Sequence, residues 1–336
     1  MGHDKSLPGA GAISDAQTGG DLTTGDCRPG GGQIQGDDQV PGHDHDHGPG
    51  RPEGDRHHHG RAHDDAHHIQ GSGCGCGLPE IGGSGKTVLV LRPHSGISGD
   101  IMVAGLASIL GLNQPDVDDC LADLGLMRLL GRVRLGPRVL GGIAGHGLHV
   151  DLQPETVHRT LSDIEAFLEA ADITDRARSH AARAFRILAE AEGRVHGRQP
   201  SEVHFHEVGA VDSLLDIGLA SVLFDKLDPS VFVSGPLPLC DGTIECAHGL
   251  LPSPAPAVSV LLEGVDVCGL ASRGETVTPT GLALVKSFGA VFGPWPHMTV
   301  ARQALVYGTR VLPGVPNGAR FAYGRLVVPE SSEPGA

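Results

Sequence analysis

Thr87-Val88-Leu89-Val90-Leu91, followed by Arg92-Pro93-His94-Ser95-Gly96-Ile97-Ser98-Gly99-Asp100 and the apolar run Ile101 to Leu110, decides how this chain folds. An unbroken β-forming run that stops at a Pro and a Gly-rich turn reads as a buried strand, and the long apolar segment after it reads as a helix. The unit is a strand, a Gly-rich turn and a helix. Free backbone N–H groups at the start of such a helix suit a phosphate or another anion, provided the glycines let the backbone approach. A tight turn with Asp100 near the helix start fits the same residues equally well.

Working outward, the chain of 336 residues changes character at about Lys86. Before it the sequence is rich in Gly, Asp and His and nearly free of aromatic and branched apolar residues, so residues 1–85 are expected to be a disordered tail with no core. That leaves roughly 250 residues for folded structure, with the domain placed at 86–328 and a short disordered end at 329–336. Helices are expected at Asp116 to Leu124, Leu161 to Ala170, Thr174 to His196, Ala210 to Leu227 and Pro254 to Leu262. Val133 to Val139 and His146 to Leu152 form a hairpin pair around Gly141-Gly142. After Asp228-Pro229 the pattern turns to short strands and Pro/Gly turns, and Met298 to Val306 and Arg320 to Val328 close the domain as strands. The fold class is therefore α+β, a mixed sheet with packed helices.

The net charge of -15 and the lack of Lys/Arg clusters argue against nucleic acid or an anionic membrane as a partner. No stretch approaches a membrane span, and the N-terminus lacks the basic start and apolar run of a signal peptide, so a cytoplasmic location is expected. Seven scattered cysteines fit reduced thiols better than a disulfide framework. Gly82-Gly83-Ser84-Gly85-Lys86-Thr87 imitates the end of a nucleotide-binding P-loop. However, Glu80 stands where that loop needs Gly, and the segment precedes a strand instead of following one. It reads as a linker.

The segment Val203-His204-Phe205-His206-Glu207-Val208-Gly209-Ala210-Val211-Asp212-Ser213-Leu214-Leu215-Asp216-Ile217 carries the densest chemistry: two imidazoles and three carboxylates in apolar surroundings. In an extended run His204 and His206 point the same way, and Asp212 and Asp216 share one face of the following helix. Such groups hold a divalent transition metal or move protons, whereas each alone would read as a helix cap or a half-buried histidine. Cys246 and His248, one residue apart, pair a thiol with an imidazole; a buried Cys beside a hydrogen-bonded His reads nearly as well. The hydroxyls of Thr276-Val277-Thr278-Pro279-Thr280 crowd another helix start and suit either an anion or capping. In the tail, His43, His45, His47, His57, His58, His59, His63, His67 and His68 alternate with Asp, Gly and Arg. Imidazole is a good ligand for nickel, zinc and copper, so the tract gives capacity for metal without a fixed geometry.

Ser95-Gly96-Ile97-Ser98-Gly99-Asp100, Leu161-Ser162-Asp163-Ile164, Val203 to Ser213, Cys246-Ala247-His248-Gly249 and Thr278-Pro279-Thr280-Gly281, in that order, resemble the LarC-type nickel-insertion proteins from about Thr87 to Val328. The resemblance implies a CTP-dependent lyase. It would insert Ni(II) into pyridinium-3,5-bisthiocarboxylic acid mononucleotide, making the nickel-pincer nucleotide cofactor of lactate racemase and related recipients. It also implies CTP and Mn(2+) or Mg(2+), associated with a C-terminal domain that a separate LarC-type polypeptide is expected to supply. Two features depart from the family pattern. Arg92-Pro93-His94 stands where Asp-Pro-Phe is usual, with Ile101 for Met, and the histidine tract sits at the N-terminus instead of inside the domain.

On this reading His206 or Glu207 is the base that takes the ring proton, and His204, Cys246, His248 and Asp212 are transient nickel ligands. Gly96, Ser98, Gly99 and Thr280 lie near the substrate phosphate. The rival from another class is a non-enzymatic nickel or zinc metallochaperone, for which the tract alone would suffice. A third is a structural protein whose Asp and His segments merely cap helices.

Overall fold

A computed structural model describes residues 85–152, 159–205, 211–246 and 249–327, all within the compact unit Gln70–Ala336. The chain starts with β1 (Thr87–Arg92), α1 (Gly99–Leu110) and α2 (Gln114–Asp123), followed by the hairpin β2 (Val133–Leu140) and β3 (Ile143–Val150). A two-residue strand β4 (Arg159–Thr160) leads into α3 (Leu161–Ala170), α4 (Asp175–His196), β5 (His204–Phe205) and α5 (Val211–Leu227). Next come β6 (Val231–Ser234), β7 (Leu237–Asp241), β8 (Thr243–Cys246), β9 (Gly249–Pro252), α6 (Pro256–Leu261) and β10 (Val267–Arg273). The last elements are α7 (Pro279–Ser287), β11 (Val291–Phe292), β12 (Met298–Val306) and β13 (Ala319–Leu326).

The α+β expectation holds: a seven-stranded mixed sheet runs in the order β11-β6-β1-β13-β12-β3-β2. β1 lies at its heart, parallel to β6 and antiparallel to β13. The apolar run Val88 to Leu91 is fully buried because both faces of β1 are covered. Alternation sends Leu89 and Leu91 into the large core shared with the helices, and Val88 and Val90 into a small cluster with Val233 and Ala322 on the other face. The hairpin turns where both Gly141 and Gly142 take positive φ, 57° and 77°, the conformation that a two-residue turn between twisted strands requires.

Local chemistry sets the helix starts. Asn113 and Asp116 form a reciprocal capping box at α2, as do Thr160 and Asp163 at α3, while Thr174 caps α4. α4 presents Ala177, Ala181, Ala184, Phe185 and Leu188 to the core, and the small side chains let it lie close to its neighbours. At the far ends of α5 and α7, Phe224 stacks on Phe288 with centroids 4.0 Å apart, and His180 of α4 meets both rings edge-on.

Lys86 is exposed ahead of β1, its carbonyl accepting from Leu326 N at 3.0 Å. It therefore extends the sheet and opens no helix, unlike the lysine of a phosphate loop. Cys120, Cys240 and Cys268 are free thiols, and burial pushes Cys120 up to about 11. Among the described residues no helix is long and apolar enough to cross a membrane.

Candidate substrate site

The parallel arrangement of β1, β6 and β11 fixes where helices begin. α1 follows β1, whereas α5 and α7 precede β6 and β11, so all three run back along the sheet and start at the carboxyl ends of the parallel strands. That edge is the usual ligand position in open α/β sheets. The starts of α1 and α7 are joined by a parallel bridge between Ile97 and Val277: Ile97 N donates to Thr276 O at 2.8 Å, and Thr278 N to Ile97 O at 3.0 Å.

The glycines of this region are needed for backbone contact. Gly96 has φ 126°, and a Cβ there would lie 2.6 Å from the Thr276 carbonyl carbon. A Cβ on Gly281 would lie 2.8 Å from Ile97 C and Ser98 Cα, and one on Gly99 would overlap the Asp216 carboxylate and lie 2.5 Å from Asp216 Cβ. Close crossing of three elements thus explains residues that sequence reading gave to phosphate approach.

Asp100, in the first turn of α1, draws donors from that turn and from Thr309. It accepts a short hydrogen bond from the Ser98 hydroxyl, one from Ile101 N at 2.9 Å, and longer ones from Thr309 N at 3.3 Å and Thr309 Oγ1 at 3.4 Å. Asp216 is partly buried against Gly99. Burial first, then the Asp100 and Asp212 carboxylates, hold its carboxyl well above the usual carboxylate range. Asp216 therefore takes up a proton more readily than an ordinary carboxyl, which lowers the negative charge of this edge as pH falls. At α7, Thr278 Oγ1 accepts from Gly281 N at 3.1 Å and lies 3.4 Å from Thr280 Oγ1. Pro279 has no N–H to offer.

Of the residues expected at the site, Gly96, Ser98, Gly99 and Thr280 are brought together by the α1–α7 junction, and Asp212 lies exposed one turn before Asp216. His204 is in β5, paired through its backbone with Thr160, and Cys246 ends β8, paired with Gly249. His206, Glu207, His248 and the tail histidines from His43 to His68 lie outside the described residues. Among the described residues no group of three or more His, Cys, Asp or Glu is placed to hold a metal ion. Sequence reading gave Asp100 only a place near the helix start and left Thr309 out, and it grouped Asp216 with Asp212 without assigning it a role of its own. The i, i+4 spacing of Asp212 and Asp216 was a usable signal, but nothing local points to Thr309, 209 positions from its partner Asp100.

The family model of nickel insertion proteins matches residues 89–334. A provisionally named nickel insertion protein of Geotalea daltonii is 39% identical over 237 residues, covering 70% of this chain and 60% of that protein. The pyridinium-3,5-bisthiocarboxylic acid mononucleotide nickel insertion protein of Geobacillus kaustophilus is 35% identical over 257 residues, 74% of this chain and 62% of its own length. The protein of the same name from Staphylococcus epidermidis is 34% identical over 220 residues, 66% of this chain and 54% of its own length. The chain therefore spans about 60% of the length of the curated relatives it matches. No solved structure matches it significantly. With the family model covering nearly the whole folded region, from the first strand onward, the chain belongs to the nickel insertion protein (LarC) family.

Proposed function

We propose that this chain takes part in inserting Ni(II) into pyridinium-3,5-bisthiocarboxylic acid mononucleotide, yielding the nickel-pincer nucleotide used by lactate racemase-like recipients. The observation that carries the reading is the convergence of the starts of α1, α5 and α7 at one sheet edge, in a chain of this family. Substrate, nickel and proton acceptor must meet in one place, and this edge gathers most of the described residues proposed for them. The substrate phosphate is held at the α1 and α7 starts by Ser98 and Thr280, with Gly96 and Gly99 near it setting the backbone crossing instead of opening space for it. The raised pKa of Asp216 favours this by easing removal of one repelling charge.

Forming the product requires two Ni–S bonds and replacement of a ring C–H by Ni–C, with the proton leaving to a base. His206 or Glu207 takes that proton, and His204, Cys246, His248 and Asp212 hold nickel before transfer. The described residues do not fit a resident Mn(2+) or Mg(2+) for CTP, since no three ligand side chains among them converge. No step here passes through CTP.

The test is product formation from mononucleotide, Ni(II), CTP and Mn(2+) or Mg(2+), with a LarC-type C-terminal polypeptide present. His206→Ala and Glu207→Gln are expected to lower the rate by about 10²-fold, the scale for losing a general base, with circular dichroism unchanged. Nickel bound and released by the chain with no Ni–C bond formed would establish a metallochaperone instead.

A further inference from the structure

Arg92 closes β1 on the face of the sheet turned away from the main core. It follows Val88 and Val90 in the alternation, whose neighbours are Val231, Val233, Ala322, Met298 and Leu326. The antiparallel register sets Arg320 directly opposite Arg92, and side chains opposite one another in such a pair share a face. Arg320 is exposed, so its flexible side chain brings a second positive charge to the same face from the solvent side. His94 lies in the same field: burial, then Arg320, then Arg92, push its pKa down.

Arg92 is only 8% exposed. Its Nη1 donates to Gly293 O at 2.7 Å, and the guanidinium carbon lies 5.1 Å from the centre of the Trp295 ring. A Cβ on Gly235 would come within 2.8 Å of Nη1, so the group is held by backbone on that side as well. Nε and Nη2, by contrast, are buried and have no hydrogen-bond acceptor among the described residues. These two nitrogens form the side-on fork of an arginine, with parallel N–H bonds spaced to meet both oxygens of a carboxylate or two of a phosphate. A buried cation with an unmet fork is costly in an isolated chain, and an oxyanion relieves that cost, with Arg320 on the same face adding attraction.

We propose that the Nε–Nη2 edge of Arg92, flanked by Arg320 and His94 at the end of β1, is a subsite for the carboxylate or phosphate group of a small-molecule ligand. The assignment does not depend on the nickel-insertion reading, because the site faces away from α1 and uses none of the residues proposed for that reaction. The edge is closed to water in the free chain, so the oxyanion enters with a local shift of the surrounding side chains; Trp295, beside the guanidinium and 47% exposed, lies next to it.

Trp295 is the one tryptophan of the chain, which makes it a reporter placed on the site. The full-length protein is titrated at mildly alkaline pH with inorganic phosphate and, in a separate arm, with malonate, each against sodium chloride at matched ionic strength. A saturable change in tryptophan fluorescence is expected with at least one oxyanion and not with chloride, and the tighter arm identifies the source. Arg92→Met should abolish the change. Arg92→Lys, which keeps the charge but not the fork, should weaken binding by about 10-fold or more, and Arg320→Gln by a smaller factor. Thermal melting of each variant reports folding, and if Arg92→Met does not fold, the Lys variant decides. Absence of a saturable response to either oxyanion, or a response equally strong in Arg92→Lys, would overturn the proposal.

Discussion

Replacing Asp216 by Asn removes a carboxyl that α5 presses against the backbone of Gly99. In the unfolded chain this group ionises near its ordinary value of 3.8, whereas in the fold burial, Asp100 and Asp212 keep it protonated to higher pH. The stability it contributes is therefore complete below the unfolded value and is lost as pH rises toward the raised folded one. Within that window the folded state binds up to one proton more than the unfolded state, which sets a slope of about 1.4 kcal/mol per pH unit. Asn has nearly the same shape and nothing to ionise. The difference in unfolding free energy, variant minus parent, should climb from about pH 4 with up to that slope and level off once the folded carboxyl ionises. Urea unfolding of both proteins between about pH 4 and pH 8 measures it, and the tail histidines titrate alike in both and cancel. In an Asp100→Asn background the climb should be shorter, because a charge that opposes ionisation is gone, and the double-mutant cycle removes the cost of the bonds Asp100 itself makes. Parallel curves for parent and Asp216→Asn across the whole range would refute the reasoning.

Gly99→Ala should destabilise the protein by about 1–3 kcal/mol in urea unfolding, the usual cost of forcing an atom into filled space, since its Cβ would overlap Asp216. Deleting residues 1–84 should remove most of the nickel bound per chain, counted by elemental analysis, and leave the unfolding free energy nearly unchanged, the outcome expected if their Gly-, Asp- and His-rich composition builds no core. Lys86→Ala should alter neither nucleotide affinity nor stability, both checked by calorimetry, because the residue is exposed ahead of β1 and, among the described residues, its carbonyl makes the hydrogen bond that a truncated side chain would leave intact.

The elements legible in the sequence were those whose signal is local. Val88 to Leu91 announced a strand by apolar content, Gly141-Gly142 announced the hairpin by the positive φ that glycine tolerates, and Thr174 and Thr278 announced helix starts that their side chains do cap. β10 gave no such signal. Its Val267, Cys268 and Gly269 are exposed, and it is held by backbone pairing with β7, so no alternation of apolar residues marks it. The candidate site was legible in the same divided way. The Gly-rich turn and the i, i+4 aspartates were visible, but their meeting was not, because Gly99 and Asp216 touch through packing across 117 positions.

That meeting changes how the turn should be understood. Glycines at a strand-to-helix turn are read as openings for a ligand, yet here Gly96, Gly99 and Gly281 are filled from inside by Thr276, Asp216 and Ile97. Their absent side chains bring three elements into contact, and the contact forces a carboxyl into the start of a helix beside another carboxyl. Asp216 responds with a pKa well above the usual carboxylate range. The opposite charge lies on the other face of the same sheet edge, where Arg92 holds its unmet fork beside Arg320. β1 thus separates an acidic corner from a basic one within a few residues of chain, and the alternation that buries Leu91 on one side is what turns Arg92 to the other.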